Sequence, residues 1–304
     1  MSRLTIAAAA LASAWLLAPA EQTESASGVP VKMVITVEAR HGNDVPRLES
    51  GDVMVYQGRD RVKTTGLVPL RGDRAGLQLA LLLDESLDAG VGLQFDDLRK
   101  FMYAQPPTTA IAVAYMQNGT TRIAQDFTTD HALAAKVLRL PLGSPGVLAS
   151  PYLALSDMIK RWPDTNVRRE AILVSDGIDR LGGRGLQNTY VDAAIDDARR
   201  AGVIVYSIYS PGAGHYGHSF WRINWGQIWL SQIADETGGE AYYLGTQAPV
   251  AFGPYLDNIA RRLENQYLLT FLAKPRKKPG FENVKLRTEV PNAELVSADA
   301  VWVQ

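Results

Sequence analysis

The 304-residue chain contains no cysteine. That excludes a disulfide scaffold, a thiolate nucleophile, a zinc–cysteine site, an iron–sulfur cluster and a lipid-modified N-terminal cysteine. Histidine is scarce, with four in all (His41, His131, His215 and His218), so imidazole chemistry has few places to reside. Charge of one sign is lacking too, since 31 Lys+Arg stand against 32 Asp+Glu for a formal net charge of -1. Such a balance offers no electrostatic footprint for nucleic acid or an anionic membrane surface. After the first segment no stretch reaches ~18 uninterrupted apolar residues, the length of a membrane span. What remains is 46% hydrophobic and 21% charged, a globular composition and too apolar for a disordered chain.

Residues 1–20 read as a cleaved secretory signal. Arg3 supplies the positive start, Leu4 to Leu17 an apolar core, and Ala18-Pro19-Ala20 a small-x-small cleavage site. The run is too short and too alanine-rich for a membrane span. Residues 21–30 are polar and small, a disordered tether. A secreted or periplasmic protein of about 280 residues, with no membrane span after signal cleavage, is expected.

From Val31 the apolar residues alternate (Val31, Met33, Ile35, Val37), and with Val53 to Tyr56 and Arg61 to Val68 they predict an N-terminal β segment over 31–74. The pattern changes at Leu77, where a nearly unbroken apolar run to Leu83 marks a parallel strand covered on both faces. Strand and helix signals then alternate to residue 266, predicting a doubly wound, mostly parallel α/β domain over 75–266. Residues 267–304 revert to β patterning. The two β segments are expected to pair into a small β-domain, with the α/β unit inserted between them.

In an open parallel sheet, ligands bind beyond the carboxyl ends of the strands. The first α/β strand delivers Asp84, Ser86 and Asp88 at two-residue spacing, and a later strand delivers Asp176. Ser150 opens a helix between them, with Pro151 at the first helical position. Five oxygen side chains converging on one rim suit a hard divalent cation, Mg2+ or alternatively Mn2+ or Ca2+. The bland readings stay open beside this one: Asp84 as a loop anchor and Ser150 as a plain helix cap.

Leu81-Leu82-Leu83-Asp84-Glu85-Ser86-Leu87-Asp88 resembles the Asp-x-Ser-x-Ser opening of the von Willebrand factor type A (VWFA) domain. Val174-Ser175-Asp176-Gly177 resembles that family's later strand, and Ser150 stands where the family places a metal-binding threonine. The leader Val34 to Val37 and Asp52 to Gly58, with Gln266 to Phe271 and Val284 to Arg287, resemble the bacterial VWFA-related exported proteins abundant in acidobacteria. The resemblance implies an exported, divalent-metal-dependent protein-binding or adhesion module with a metal-ion-dependent adhesion site (MIDAS) and a protein ligand. The chain departs from the pattern at Asp88 and Ser150. A third coordinating aspartate would neutralise the ion and weaken its recruitment of a partner's carboxylate.

A stretch rich in glycine, aromatics and histidine follows the Val203 strand, and is expected to rise as a loop on the same rim. Its His215, Tyr216, His218, Phe220, Trp221, Arg222 and Trp225 are candidate partner contacts, since aromatics and Arg dominate binding hot spots. The alternative is that these rings pack back onto the domain. Arg71-Gly72-Asp73 reads as a linker turn, Asn118-Gly119 as a strand-to-strand turn and Lys274 to Lys278 as a solvated hairpin tip.

Two rival classes are kept. One is a metal-independent structural or assembly factor of the cell envelope. The other is a Mg2+-dependent phosphohydrolase using Asp84 as nucleophile, but Ser86 stands where a second carboxylate is wanted and no Gly-rich phosphate loop exists. No catalytic role is therefore expected.

Overall fold

The structure, a computed structural model, describes residues 28–144, 146, 149–182, 185–214 and 218–303. The signal and most of the tether read at the N-terminus lie outside the described residues.

Four strands come from the first segment: β1 (Val29–Ala39), β2 (Met54–Gln57), β3 (Asp60–Val62) and β4 (Thr64–Pro69). The α/β unit follows as β5 (Leu77–Asp84), α1 (Phe95–Ala104), β6 (Thr109–Gln117), β7 (Thr120–Thr128), α2 (His131–Lys136), α3 (Pro151–Lys160), β8 (Arg168–Ser175), α4 (Thr189–Ala201), β9 (Val203–Tyr209), α5 (Phe220–Thr237), β10 (Ala241–Tyr242) and α6 (Gly253–Glu264). The chain closes with β11 (Gln266–Ala273), β12 (Gly280–Arg287), β13 (Ala293–Val296) and β14 (Ala300–Val303).

Among the described residues the central sheet has the order β10-β9-β8-β5-β6-β7, parallel throughout except for β7 at its edge. The β6–β7 hairpin turns at Asn118 (φ 52°) and Gly119 (φ 66°), the double left-handed geometry that a two-residue hairpin requires. Strand β5 is buried from end to end because both its faces are covered. Leu77, Leu79, Leu81 and Leu83 pack toward α1, α2 and α6. Ala80 and Leu82 pack toward α3, α4 and α5. The α/β unit is doubly wound, and its strand order reverses between β5 and β8, which opens a crevice at their carboxyl ends.

The terminal strands form two antiparallel sheets, β13-β1-β11-β4 and β14-β12-β2-β3, over a shared core that includes Ile35, Val55, Leu269, Phe271 and Val303. Each sheet mixes strands from both ends of the chain, so the α/β unit is an insertion in a small β-sandwich. Arg262 of α6 bridges the two units, pairing with Glu38 at 2.7 Å and Glu240 at 2.6 Å. Arg199 pairs with Asp299, and Arg200 lies 4.3 Å from the Trp302 ring.

Two elements differ from the sequence pattern. Helix α5 starts at Phe220, inside the stretch expected to rise as a loop, because the Ser219 hydroxyl caps it by accepting from the Arg222 N–H at 3.4 Å. Strand β13 was not foreseen. It is four residues long and follows a left-handed Asn292 (φ 62°), too short to show a period of its own.

Candidate metal site

The carboxyl ends of β5 and β8 are tied together. Asp84, at the last position of β5, accepts from the Ser175 hydroxyl at 2.7 Å through one oxygen and from the Ser86 N–H at 2.9 Å through the other. The Ser175 hydroxyl in turn accepts from the Gly177 N–H at 3.0 Å, which sets the turn that carries Asp176. Asp176 accepts from the Ile178 N–H at 2.9 Å with one oxygen, leaving the other uncommitted. Gly177 has φ 70°, a left-handed conformation that favours glycine, and its carbonyl accepts from the Tyr152 hydroxyl at 3.0 Å. Ser150 caps α3, its hydroxyl accepting from the Leu153 N–H at 3.3 Å.

Asp84, Ser86, Ser150 and Asp176 line one small cleft of about 10 Å³, room for a single ion or water, and each is at most 6% exposed. Ser150 is thus a helix cap that also lines the cleft. Burial raises both carboxyls above the usual carboxylate range, the charge of Asp84 adding to the rise at Asp176. Hydrogen bonds from Ser175 and Ser86 oppose the rise at Asp84, and the charge of Arg180, which lines the same cleft, opposes it at both.

Two buried carboxyls lining one cleft are costly to ionise unless paired, and a cation in the cleft would relieve that cost. The donor set fits a hard one: carboxylate and hydroxyl oxygens with no sulfur or imidazole. A second sign is the Ser86 hydroxyl, which is buried beside the Asp84 carboxyl and makes no hydrogen bond of good geometry. A buried hydroxyl left unpaired is costly, and a cation in the cleft would satisfy it.

Asp88 does not join this group. The chain leaves the strand at Asp84, so two-residue spacing no longer keeps side chains on one side. Asp88 is exposed, caps a short 3-10 helix by accepting from the Gly90 N–H at 2.8 Å, and is not part of the cleft wall. Among the described residues no group of three or more His, Cys, Asp or Glu side chains is placed to hold a metal. The expected three-carboxylate set is therefore corrected to two carboxylates with hydroxyls.

The candidate partner loop is also redrawn. His215 and Tyr216 lie outside the described residues. His218 precedes the cap of α5, and Phe220, Trp221, Arg222 and Trp225 sit in its first two turns rather than in a loop. Trp225 packs against the core beneath α5. Phe220 and Trp221 meet edge to face at 6.0 Å and are each 66% exposed, and Arg222 is exposed beside them.

Sequence reasoning missed four residues that build the site. Ser175 and Arg180 flank Asp176 without a distinguishing spacing. Gly212 follows β9 and packs against Asp176: a Cβ there would fall 2.3 Å from an Asp176 carboxylate oxygen, while the neighbouring Ala213 N–H donates to the Ser86 carbonyl at 2.7 Å. Gly226, inside α5, lies against the Asp176 carbonyl, and an isolated glycine within a helical pattern was the available signal.

No family model matches the sequence, and no curated protein is detectably similar to it. Among solved structures, an aerotolerance-related membrane protein from Bacteroides fragilis is similar over 62% of this chain and 98% of its own, at 15% identity and a TM-score of 0.44. The human COPII-coat protein Sec24c is similar over 75% of this chain and 44% of its own, at 9% identity and a TM-score of 0.44. The SpRpn10 VWA domain is similar over 60% of this chain and 95% of its own, at 11% identity and a TM-score of 0.39.

Proposed function

We propose that this chain is an exported protein-binding module of the VWFA type, related to the bacterial VWFA proteins, that engages a protein ligand through a divalent cation held in the cleft. Asp84, Ser86, Ser150 and Asp176 would hold Mg2+, or Mn2+ or Ca2+ in its place, and the ion supplies an electrophilic point for an oxygen of the ligand. The observation that carries the reading is one small cleft walled by two buried carboxylates and the buried hydroxyls of Ser86 and Ser150. With Asp88 outside the cleft, the ion is not neutralised by a third carboxylate. Two carboxylates and Arg180 leave one negative charge, and a divalent ion turns it to one positive. The loaded site therefore favours an acidic partner, against the weakened recruitment that a coordinating Asp88 would have brought. The groups assembled at this rim bind rather than turn over a substrate, and no catalytic residue is assigned.

Thermal unfolding in Mg2+ or Mn2+ against chelator tests this reading, because a ligand that binds only the folded state raises the midpoint. A midpoint that ignores both metals at millimolar concentration rejects it. Arg180 supports the second reading, a metal-independent structural or assembly factor of the cell envelope, in which the arginine's charge balances the two carboxylates in place of a metal. Capture of a partner from the exported fraction, equal in Mg2+ and in chelator, would favour that alternative.

A further inference from the structure

Among the described residues Arg180 is the one basic residue in the wall of the cleft, and the rest of the fold does not account for its side chain. Among the described residues its guanidinium makes no hydrogen bond or ion pair, yet its backbone is pinned beside Ser150 by an N–H donated to the Ala149 carbonyl at 2.9 Å. The position is held while the charged end is left free to reorient. That charge acts favourably on Asp84 and Asp176 together. Two buried carboxylates without a counter-ion would be expensive, and the chain supplies one of its own.

We infer that Arg180 is a built-in competitor for the divalent cation, its charge offsetting the two carboxyls from the exposed wall of the cleft in the metal-free state and turning away when the ion enters. The inference rests on the metal reading above. A guanidinium and a divalent ion sharing one small cleft repel, so each weakens the other by the same factor. Arg180 thereby sets the metal concentration at which the site becomes loaded. Once displaced it stands next to the ion with five N–H donors in a fork that matches a carboxylate. The ligand it would help to select is an acidic side chain or chain terminus, one oxygen on the metal and the other on Arg180. A neutral oxygen donor would gain nothing from the arginine.

Mn2+ titration calorimetry on the full mature chain tests this, comparing wild type with Arg180→Gln and Arg180→Lys. Arg180→Gln is expected to bind Mn2+ about tenfold more tightly, the scale of a typical coupling between sites. Arg180→Lys, which keeps the charge, should stay near wild type. In chelator, Arg180→Gln should unfold at a lower temperature than wild type, because the carboxylates have lost their counter-ion. Tighter binding by Arg180→Gln, including the case where only that variant binds, supports the inference. Equal or weaker binding by a folded Arg180→Gln overturns it and leaves the metal reading standing. Absence of binding by all three proteins overturns both.

Discussion

Gly177 and Gly226 meet backbone to backbone. A Cβ on Gly177 would fall 2.3 Å from the Gly226 carbonyl oxygen, and one on Gly226 would fall 2.5 Å from the Asp176 carbonyl oxygen. Helix α5 therefore buttresses the turn that aims Asp176, and it does so with no side chain between. An alanine at Gly226 would favour an isolated helix by about 1 kcal/mol. Here the expected sign is the reverse: Gly226→Ala should destabilise the protein by about 2 kcal/mol through overpacking and weaken Mg2+ binding as Asp176 shifts. Chemical unfolding with and without Mg2+ measures both effects. A variant more stable than wild type would show that the helix has slack at this point.

The Ser86 hydroxyl gives a cleaner separation of stability from binding. It is buried beside the Asp84 carboxyl without a well-formed hydrogen bond, so Ser86→Ala costs the metal-free protein little. The metal-free midpoint should move within the range of about 0.5 kcal/mol or rise slightly. Mg2+ affinity should fall at least tenfold. If affinity were unchanged while stability dropped, the hydroxyl would be structural.

Glu170 on β8 offers a pH signature remote from the cleft. It is fully buried, and burial pushes its carboxyl up to about 7 against the opposing charge of Arg168 and the hydrogen-bonding groups of Gln266 and Tyr206 beside it. A folded-state value above the unfolded one means that the native state holds the proton longer. Stability from this group is then fully present below about 4.5 and is lost as pH rises through about 7. Glu170→Gln should remove that slope and stabilise the protein at pH 8 by about 2–3 kcal/mol. Urea midpoints between pH 5 and pH 8 test the point: parallel curves for wild type and variant would mean that Glu170 ionises freely.

Phe220 and Trp221 lie in the two turns of α5 that precede Gly226, on the rim of the sheet that carries the cleft. Both are 66% exposed, so the double change Phe220→Ser and Trp221→Ser should leave stability within about 0.5 kcal/mol. Partner capture in Mg2+ should drop several-fold, as expected of aromatic anchors at an interface. Capture at the wild-type level would place the ligand on another part of the rim.

Much of this architecture is legible in the chain because burial writes itself locally. Strand β5 reads as a continuous apolar run since helices cover both its faces, and β1 reads as alternation over Val31, Met33, Ile35 and Val37 since one face meets the sandwich core. Asp84 and Asp176 are visible as the acids that end such strands. Asp88 misleads for the same local reason: its spacing extends the strand logic past the residue where the strand stops and a 3-10 helix begins. The start of α5 is hidden because aromatics follow its cap at once, without the apolar spacing that marks a helix.

The sequence by itself determined the order of the elements, the insertion of an α/β unit between β segments, and the acids and alcohols at the strand ends, because periodicity and capping act over a few residues. Only the tertiary structure decided which of those oxygens share a cleft. The tie from Ser175 to Asp84 spans 91 residues. Arg180, Gly212 and Gly226 belong to the site only because β5, β8, β9 and α5 meet at one crest, and close approach in space leaves no trace in neighbouring residues.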